Sequence, residues 1–251
     1  MSALHTLAIY GREARAQILS TVRTPQFVIP SVVLPLLFYG VMGLGLSKGR
    51  EEVAHFMLAN YVIFAAIAPA MFGFGAAVAA EREAKLIELK QIAPLPAGGY
   101  LAGRLAAALA LIALSVLLLG GLAWFGGVRM DGWRWAATLG LGLASTIPFA
   151  MIGLNIGLRM GSQGATAVAN LVFLAFSLFG GLWIPLSAMP GWFGDIAKLT
   201  PSYYLGQLSQ MLSGTQPMAN VEHHVSILVA ITVAAIIGAW TAWTAWRRRA
   251  A

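Results

Sequence analysis

EREAKLIELKQIAPLPAGGYLAGR, residues 81–104, is the stretch whose reading decides the fold. Seven of its residues are charged: Glu81, Arg82, Glu83, Lys85, Glu88, Lys90 and Arg104. Long apolar runs flank it on both sides. A helix needs about 20 apolar residues to cross about 30 Å of hydrocarbon, and both flanks reach that length. Ionised side chains are costly in a bilayer core. The block therefore lies in water against one membrane face, and its flanks are membrane spans.

Composition agrees. Of 251 residues, 59% are hydrophobic and 10% charged, where a soluble domain is about one quarter charged. Mean hydropathy is +0.78. The chain reads as an all-α integral membrane protein. It has no Cys, which excludes disulfides and thiolate metal sites. The net charge of +7 would suit nucleic acid. Basic residues, however, gather in the cytoplasmic loops of membrane proteins for topological reasons, and that reading excludes nucleic acid as a partner.

Working outward, residues 1–25 precede the first span. Leu4, Leu7, Gly11, Ala14, Ile18 and Val22 recur at steps of three or four, with Arg12, Arg15 and Arg23 off that stripe. The spacing predicts an amphipathic helix on the membrane surface; a solvated helix packed on other protein fits it too. The basic residues sit too far in, and the next apolar run is too long, for a cleaved signal peptide.

Six spans follow. They are 26–47 with Pro30 and Pro35, 55–79 with Asn60 and Pro69, 105–125, 135–158 with Pro148 and Asn155, 165–185 with Asn170, and 225–246. Interior prolines kink membrane helices without breaking them. Trp240, Trp243 and Trp246 before Arg247, Arg248 and Arg249 mark an interfacial anchor. Gly153-xxx-Gly157-xxx-Gly161 and Ser177-xxx-Gly181 offer close helix approach. The chain 1–251 thus reads as one transmembrane domain, with a cytoplasmic loop at 80–104 and an extracytoplasmic segment at 186–224.

Charge sets the orientation. Eleven of the sixteen Lys and Arg fall on the N-terminus, the 80–104 loop, the 159–164 turn and the C-terminus; the other face holds five. The richer face is cytoplasmic, which places both termini and the charged block inside the cell.

Absences narrow the function. On this layout all 25 charged residues lie in loops or at termini, whereas ion-coupled carriers need ionisable groups within the membrane. His5, His55, His223 and His224 are terminal or at span edges, so haem ligation and an intramembrane hydrolase are disfavoured. His223-His224 lacks a third ligand, and no metal site is expected. No G-x-x-x-x-G-K-[ST] is present, so this chain has no P-loop for nucleotide and no catalytic residues are assigned.

Within the charged block, Glu81 and Lys85 stand at i, i+4, an arrangement that supports a short helix. Leu86, Leu89 and Ala93 share one face, Pro94-Leu95-Pro96 stops the helix, and Gly98-Gly99 turns the chain back. A surface helix with solvated charges and a docking element both fit. Asn60, Asn155 and Asn170 must face other helices or water. They could line a conduit or bond helix to helix.

Two motifs add a resemblance. Glu81-Arg82-Glu83-x-Lys85-x-Ile87-Glu88, followed by Pro94-Leu95 and by Tyr100-Leu101-x-Gly103-Arg104, resembles the loop after the second span of ABC type-2 transporter permeases. Ala84-Lys85 stands where that family usually has Gly-Thr, and Ala93-Pro94 where it has Thr-Pro. Gly180-Gly181-x-x-x-Pro185-x-x-x-Met189-Pro190-x-Trp192, then Thr200-Pro201-x-x-Tyr204, is similar to the family's signature between spans five and six. With the six-span layout, the resemblance covers essentially the whole chain.

The resemblance implies the transmembrane subunit of a bacterial inner-membrane exporter. It would work as a dimer with a second copy or a related permease, with short re-entrant helices before span six. Cytosolic ABC ATPase subunits would hold the ATP and Mg and contact a coupling helix through Glu81, Arg82, Glu83, Lys85, Leu86, Glu88 and Leu89. An amphipathic or hydrophobic cargo such as a drug, lipid or peptide would leave outward. The competing class is a non-transporting membrane scaffold or regulatory subunit.

Overall fold

Apolar runs too long for one turn of structure and too poor in polar groups for water leave the backbone only its own hydrogen bonds, and in a membrane that means helix. The computed structural model describes residues 3–47, 50–87, 89 and 98–250, and among them there is helix and no strand. Six helices are long and apolar enough to cross a bilayer among the described residues. The protein is a multi-pass membrane protein.

Helix α1 (Ala3–Val22) precedes span one, which is α2 (Pro25–Phe38) continued by a wider-wound π segment, Tyr39–Gly45. Pro30 and Pro35 sit inside α2 without ending it. Span two is α3 (Glu51–Phe74) and α4 (Ala76–Glu83), joined at Gly75. Span three is α5 (Gly99–Phe125). Span four is α6 (Gly132–Ala144) and α7 (Thr146–Arg159). Its bend has a local cause. Pro148 withholds a donor from the preceding turn, while Ser145 and Thr146 hydroxyls donate to Gly142 O and Leu143 O, each at 2.6 Å. Span five is α8 (Ser162–Phe179). A 3₁₀ turn at Leu186–Ala188, α9 (Trp192–Ala197) and α10 (Pro201–Ser213) lead to α11 (Val221–Ala250), which carries span six.

Span two is the axis of the bundle. Its apolar stretch is 72% buried, against 17% for span five and 11% for span six. The glycines of span four explain its close neighbour. A Cβ on Gly153 would meet Met71 O at 2.7 Å, one on Gly157 would meet Gly75 O at 2.5 Å, and one on Gly161 would meet Glu83 Oε1 at 2.6 Å. Gly153 and Gly157, at i and i+4, thus let the backbones of spans two and four touch, while Gly161, in the turn to span five, makes room for the Glu83 carboxylate.

Several boundaries differ from the sequence reading. Spans two and three run into the charged block, to Glu83 and from Gly99, so its first three charges and Arg104 are helical and not looped. Glu81 and Lys85 do not share a helix turn: α4 ends at Glu83, and Lys85 has φ 55°. Glu88 and the Pro94-Leu95-Pro96 stop lie outside the described residues. In α1, Ala14 and Ile18 are half-buried as the spacing predicts, but Gly11 and Val22 face outward and Gln17 is buried. The cause is span three. Gly103 leaves room for Glu13 and Gln17, whose Cγ atoms stand 2.8 and 3.1 Å from where its Cβ would be.

Candidate functional site

The charged block closes one end of the bundle. Arg104 reaches back across the hairpin to Glu81 at 2.6 Å, with both side chains mostly buried. Its other nitrogens donate to Gly73 O at 2.9 Å and to the Tyr100 hydroxyl at 3.0 Å. A buried ion pair needs its remaining polar atoms satisfied: each Arg104 nitrogen has an acceptor, whereas Glu81 Oε2 is buried without a hydrogen-bond partner. Arg82 donates to Leu158 O and, at 2.6 Å, to Met160 O, and so caps the last carbonyls of span four. Glu83 accepts from Ser162 N at 2.9 Å. It thereby satisfies one free N–H at the start of span five, where the helix dipole favours an anion. Three consecutive side chains therefore tie span two to spans three, four and five.

Among the described residues that follow span two, Lys85, Leu86 and Leu89 are exposed and make none of these bonds to other spans. Leu86 is 44% and Leu89 62% exposed. The resemblance implies that Glu81, Arg82 and Glu83 contact an ATPase together with Lys85; the structure gives all three intramolecular partners. Hydropathy cannot register partners 76 to 79 residues away.

The second motif builds the opposite end. Gly180 has no room for a side chain: a Cβ there would strike Ser202 Oγ, which donates to Phe176 O at 2.7 Å. Gly181 takes φ 71°, the left-handed region that favours glycine. Thr200 accepts from Tyr203 N at 3.3 Å and caps α10, with Pro201 at its first position. The Tyr204 hydroxyl donates to Lys198 O at 2.8 Å. Pro185 and Met189 are half-buried, while Pro190 and Trp192 are exposed.

The three amides separate into two kinds. Asn60 accepts from Gln210 Nε2 at 2.7 Å and lies 3.5 Å from Gly181 O, and Ser209 Oγ donates to Ala59 O at 2.7 Å. This buried polar junction fastens α10 to span two. Asn155 donates to Ala235 O of span six at 2.7 Å and accepts from Arg159, which itself donates to Gly238 O at 3.0 Å. Both amides bond helix to helix. Asn170 differs. With Gln163 and Thr166 it lies exposed along one face of span five, beside a shallow cavity of about 410 Å³.

Sequence reasoning passed over Arg159, Gln210 and Ser202. The signal was available for two of them. Arg159 follows Asn155 by one turn, and Gln210 lies with Ser209 and Ser213 in a helix whose polar side chains need partners. Among the described residues no group of three His, Asp or Glu could hold a metal.

The family model described as ABC-2 type transporter matches residues 13–212, a range that contains both motifs. A relative from Bacillus subtilis (strain 168), provisionally named transport permease YvfS, is 23% identical over 204 residues, covering 79% of this chain and 82% of that one.

Proposed function

The chain belongs to the ABC-2 type transporter family, and we propose from this that it is the transmembrane subunit of an ATP-binding cassette exporter. ATP, with Mg, is bound and hydrolysed by separate cytosolic subunits. The observation that carries this reading is the hairpin between spans two and three. Its charges hold the bundle together, while Leu86 and Leu89, just beyond the end of span two, stand exposed. Exposed apolar side chains on a polar hairpin suit a cleft on another protein, where buried apolar anchors outweigh rim charges. The hairpin is the contact through which closure of the ATPase reaches the membrane. Because Glu81, Arg82 and Glu83 fasten it to spans three, four and five, a push on the tip moves all of them together. Lys85, which is exposed, supplies charge at the rim, and Glu88, three residues further along the sequence, is the acidic residue assigned to the same contact.

The cargo is an amphipathic or hydrophobic molecule moved outward. Gln163, Thr166 and Asn170 on the open face of span five support a partner or a path there, since amides facing lipid are unfavourable. A second permease copy set against that face would cover them and enclose the path. ATP shifts the dimer between arrangements only by its differential affinity for them. Both termini and the hairpin lie on the cytoplasmic side of a bacterial inner membrane in this reading, as the charge count supports.

Co-purification tests the reading. A P-loop ATPase is expected in near-equal amount with the wild-type chain. It should be lost from Leu86→Glu/Leu89→Glu and kept by Leu199→Glu, an exposed control at the far end. Equal ATPase retention by the double variant, or none with the wild type, contradicts it and favours a scaffold.

A further inference from the structure

Beside the hairpin, spans two, four and six enclose a cavity of about 580 Å³, within the range of small-molecule sites. Arg82, Leu158, Arg159, Thr241, Ala245 and Trp246 line it. We propose that this cavity binds the phosphate headgroup of an anionic phospholipid.

Charge is the first ground. Arg82 donates to the carbonyls of Leu158 and Met160, and Arg159 to Asn155, Gly238 O and, at 3.5 Å, Thr241 Oγ1. These neutral acceptors fix the two guanidinium planes and leave their charges in place. Neither guanidinium has a carboxylate partner among the ion pairs of the described residues, which are Arg104 with Glu81, Arg134 with Asp131 and Lys198 with Asp195. The adjacent Glu83 turns to Ser162 N. Arg247 and Arg248 stand exposed one and two residues beyond Trp246, so the surroundings are basic.

Shape and place are the second ground. Leu158, Ala242 and Trp246 give the cavity an apolar wall. Thr241 and Ala245 open it onto the exposed side of span six, the least buried span. Trp243 and Trp246 meet with ring centroids 5.2 Å apart and planes tilted by 52°, and tryptophan gathers at membrane–water boundaries. A basic pocket between helices at that depth suits a lipid phosphate with its acyl chains along span six. A free anion would have no use for the apolar wall. Asn155 and Arg159 already bond span four to span six; a bound lipid phosphate would add Arg82 of span two to that junction.

The test uses the full chain in neutral detergent. Phosphatidylglycerol, phosphatidylcholine with the same acyl chains, or inorganic phosphate is added, and retention is read by native mass spectrometry and Tm. Phosphatidylglycerol should be retained and raise Tm, phosphatidylcholine should do neither, and inorganic phosphate should not compete. Arg159→Gln should weaken retention about fivefold, the contribution of one basic side chain at an anionic surface. Ala245→Phe keeps both guanidiniums, fills the mouth of the cavity and should abolish retention; it decides the matter if Arg159→Gln fails to fold. Arg129→Gln, at the far end, should bind as wild type. Equal retention of phosphatidylcholine, competition by inorganic phosphate, or wild-type retention by Ala245→Phe overturns the proposal. So does release of the ATPase by Ala245→Phe with lipid retention unchanged, which would make a protein carboxylate the occupant. The lipid-retention and Tm readouts require neither ATP, ATPase nor transport, so they stand apart from the exporter assignment.

Discussion

Lys85 occupies the left-handed region with φ 55°, a conformation that costs a residue with a Cβ about 1–2 kcal/mol. Its place at the turn after α4 accounts for that backbone, because the chain must leave span two sharply there. Lys85→Gly is expected to raise stability by about 1 kcal/mol, read as a higher Tm in detergent. A lower Tm would show that the lysine side chain holds the turn. The pair behind it behaves differently. Arg104→Ala removes the partner of Glu81 and strands a mostly buried carboxylate, at a cost of about 3 kcal/mol. Glu81→Ala in the Arg104→Ala background should cost much less than it does alone, because the two act as one unit. Additive losses in that cycle would mean the two side chains stabilise the hairpin independently.

At the scale of the element, the contact of spans two and four depends on glycine. Gly157→Ala places a Cβ 2.5 Å from Gly75 O and 2.7 Å from Phe74 O. Both are backbone atoms that cannot rotate away, so a loss of about 1–3 kcal/mol is expected. Gly140→Ala, in the same span, meets nothing within 4 Å and should be neutral or gain up to about 1 kcal/mol from helix propensity. Similar Tm values for the two variants would remove the glycine seam from the account. This seam was legible beforehand, because small residues at i, i+4, i+8 leave a mark in the sequence. Six spans, their prolines and the capped start of α10 at Thr200-Pro201 were legible for the same reason: each is a local rule. What escaped is non-local. Glu81, Arg82 and Glu83 read as loop because their partners lie in other spans, and burial of Gln17, off the apolar stripe, depends on the room made by Gly103. Asn60 and Asn155 were flagged as polar, but only their neighbours show that they bond helix to helix and that Asn170 does not.

At the scale of the molecule, burial is uneven in a way that matches the division of labour. Span two is enclosed, spans five and six are open, and the two ends are pinned by different chemistry. Ion pairing and helix capping by Glu81, Arg82, Glu83 and Arg104 hold the hairpin end. Neutral amide and hydroxyl bonds among Asn60, Ser209 and Gln210 hold the other. An open face is what a second copy would cover, and a firmly braced hairpin is what an external motor would need to push. The chain has no cysteine, so Leu89→Cys introduces a single thiol at the exposed tip and permits site-specific cross-linking in native membranes without further changes. The account predicts a cross-linked product containing a P-loop ATPase, with a yield that changes when ATP is bound, and none from Leu199→Cys at the far end. A Leu89→Cys chain that forms no such product, while the ATPase cross-links elsewhere or not at all, would contradict it.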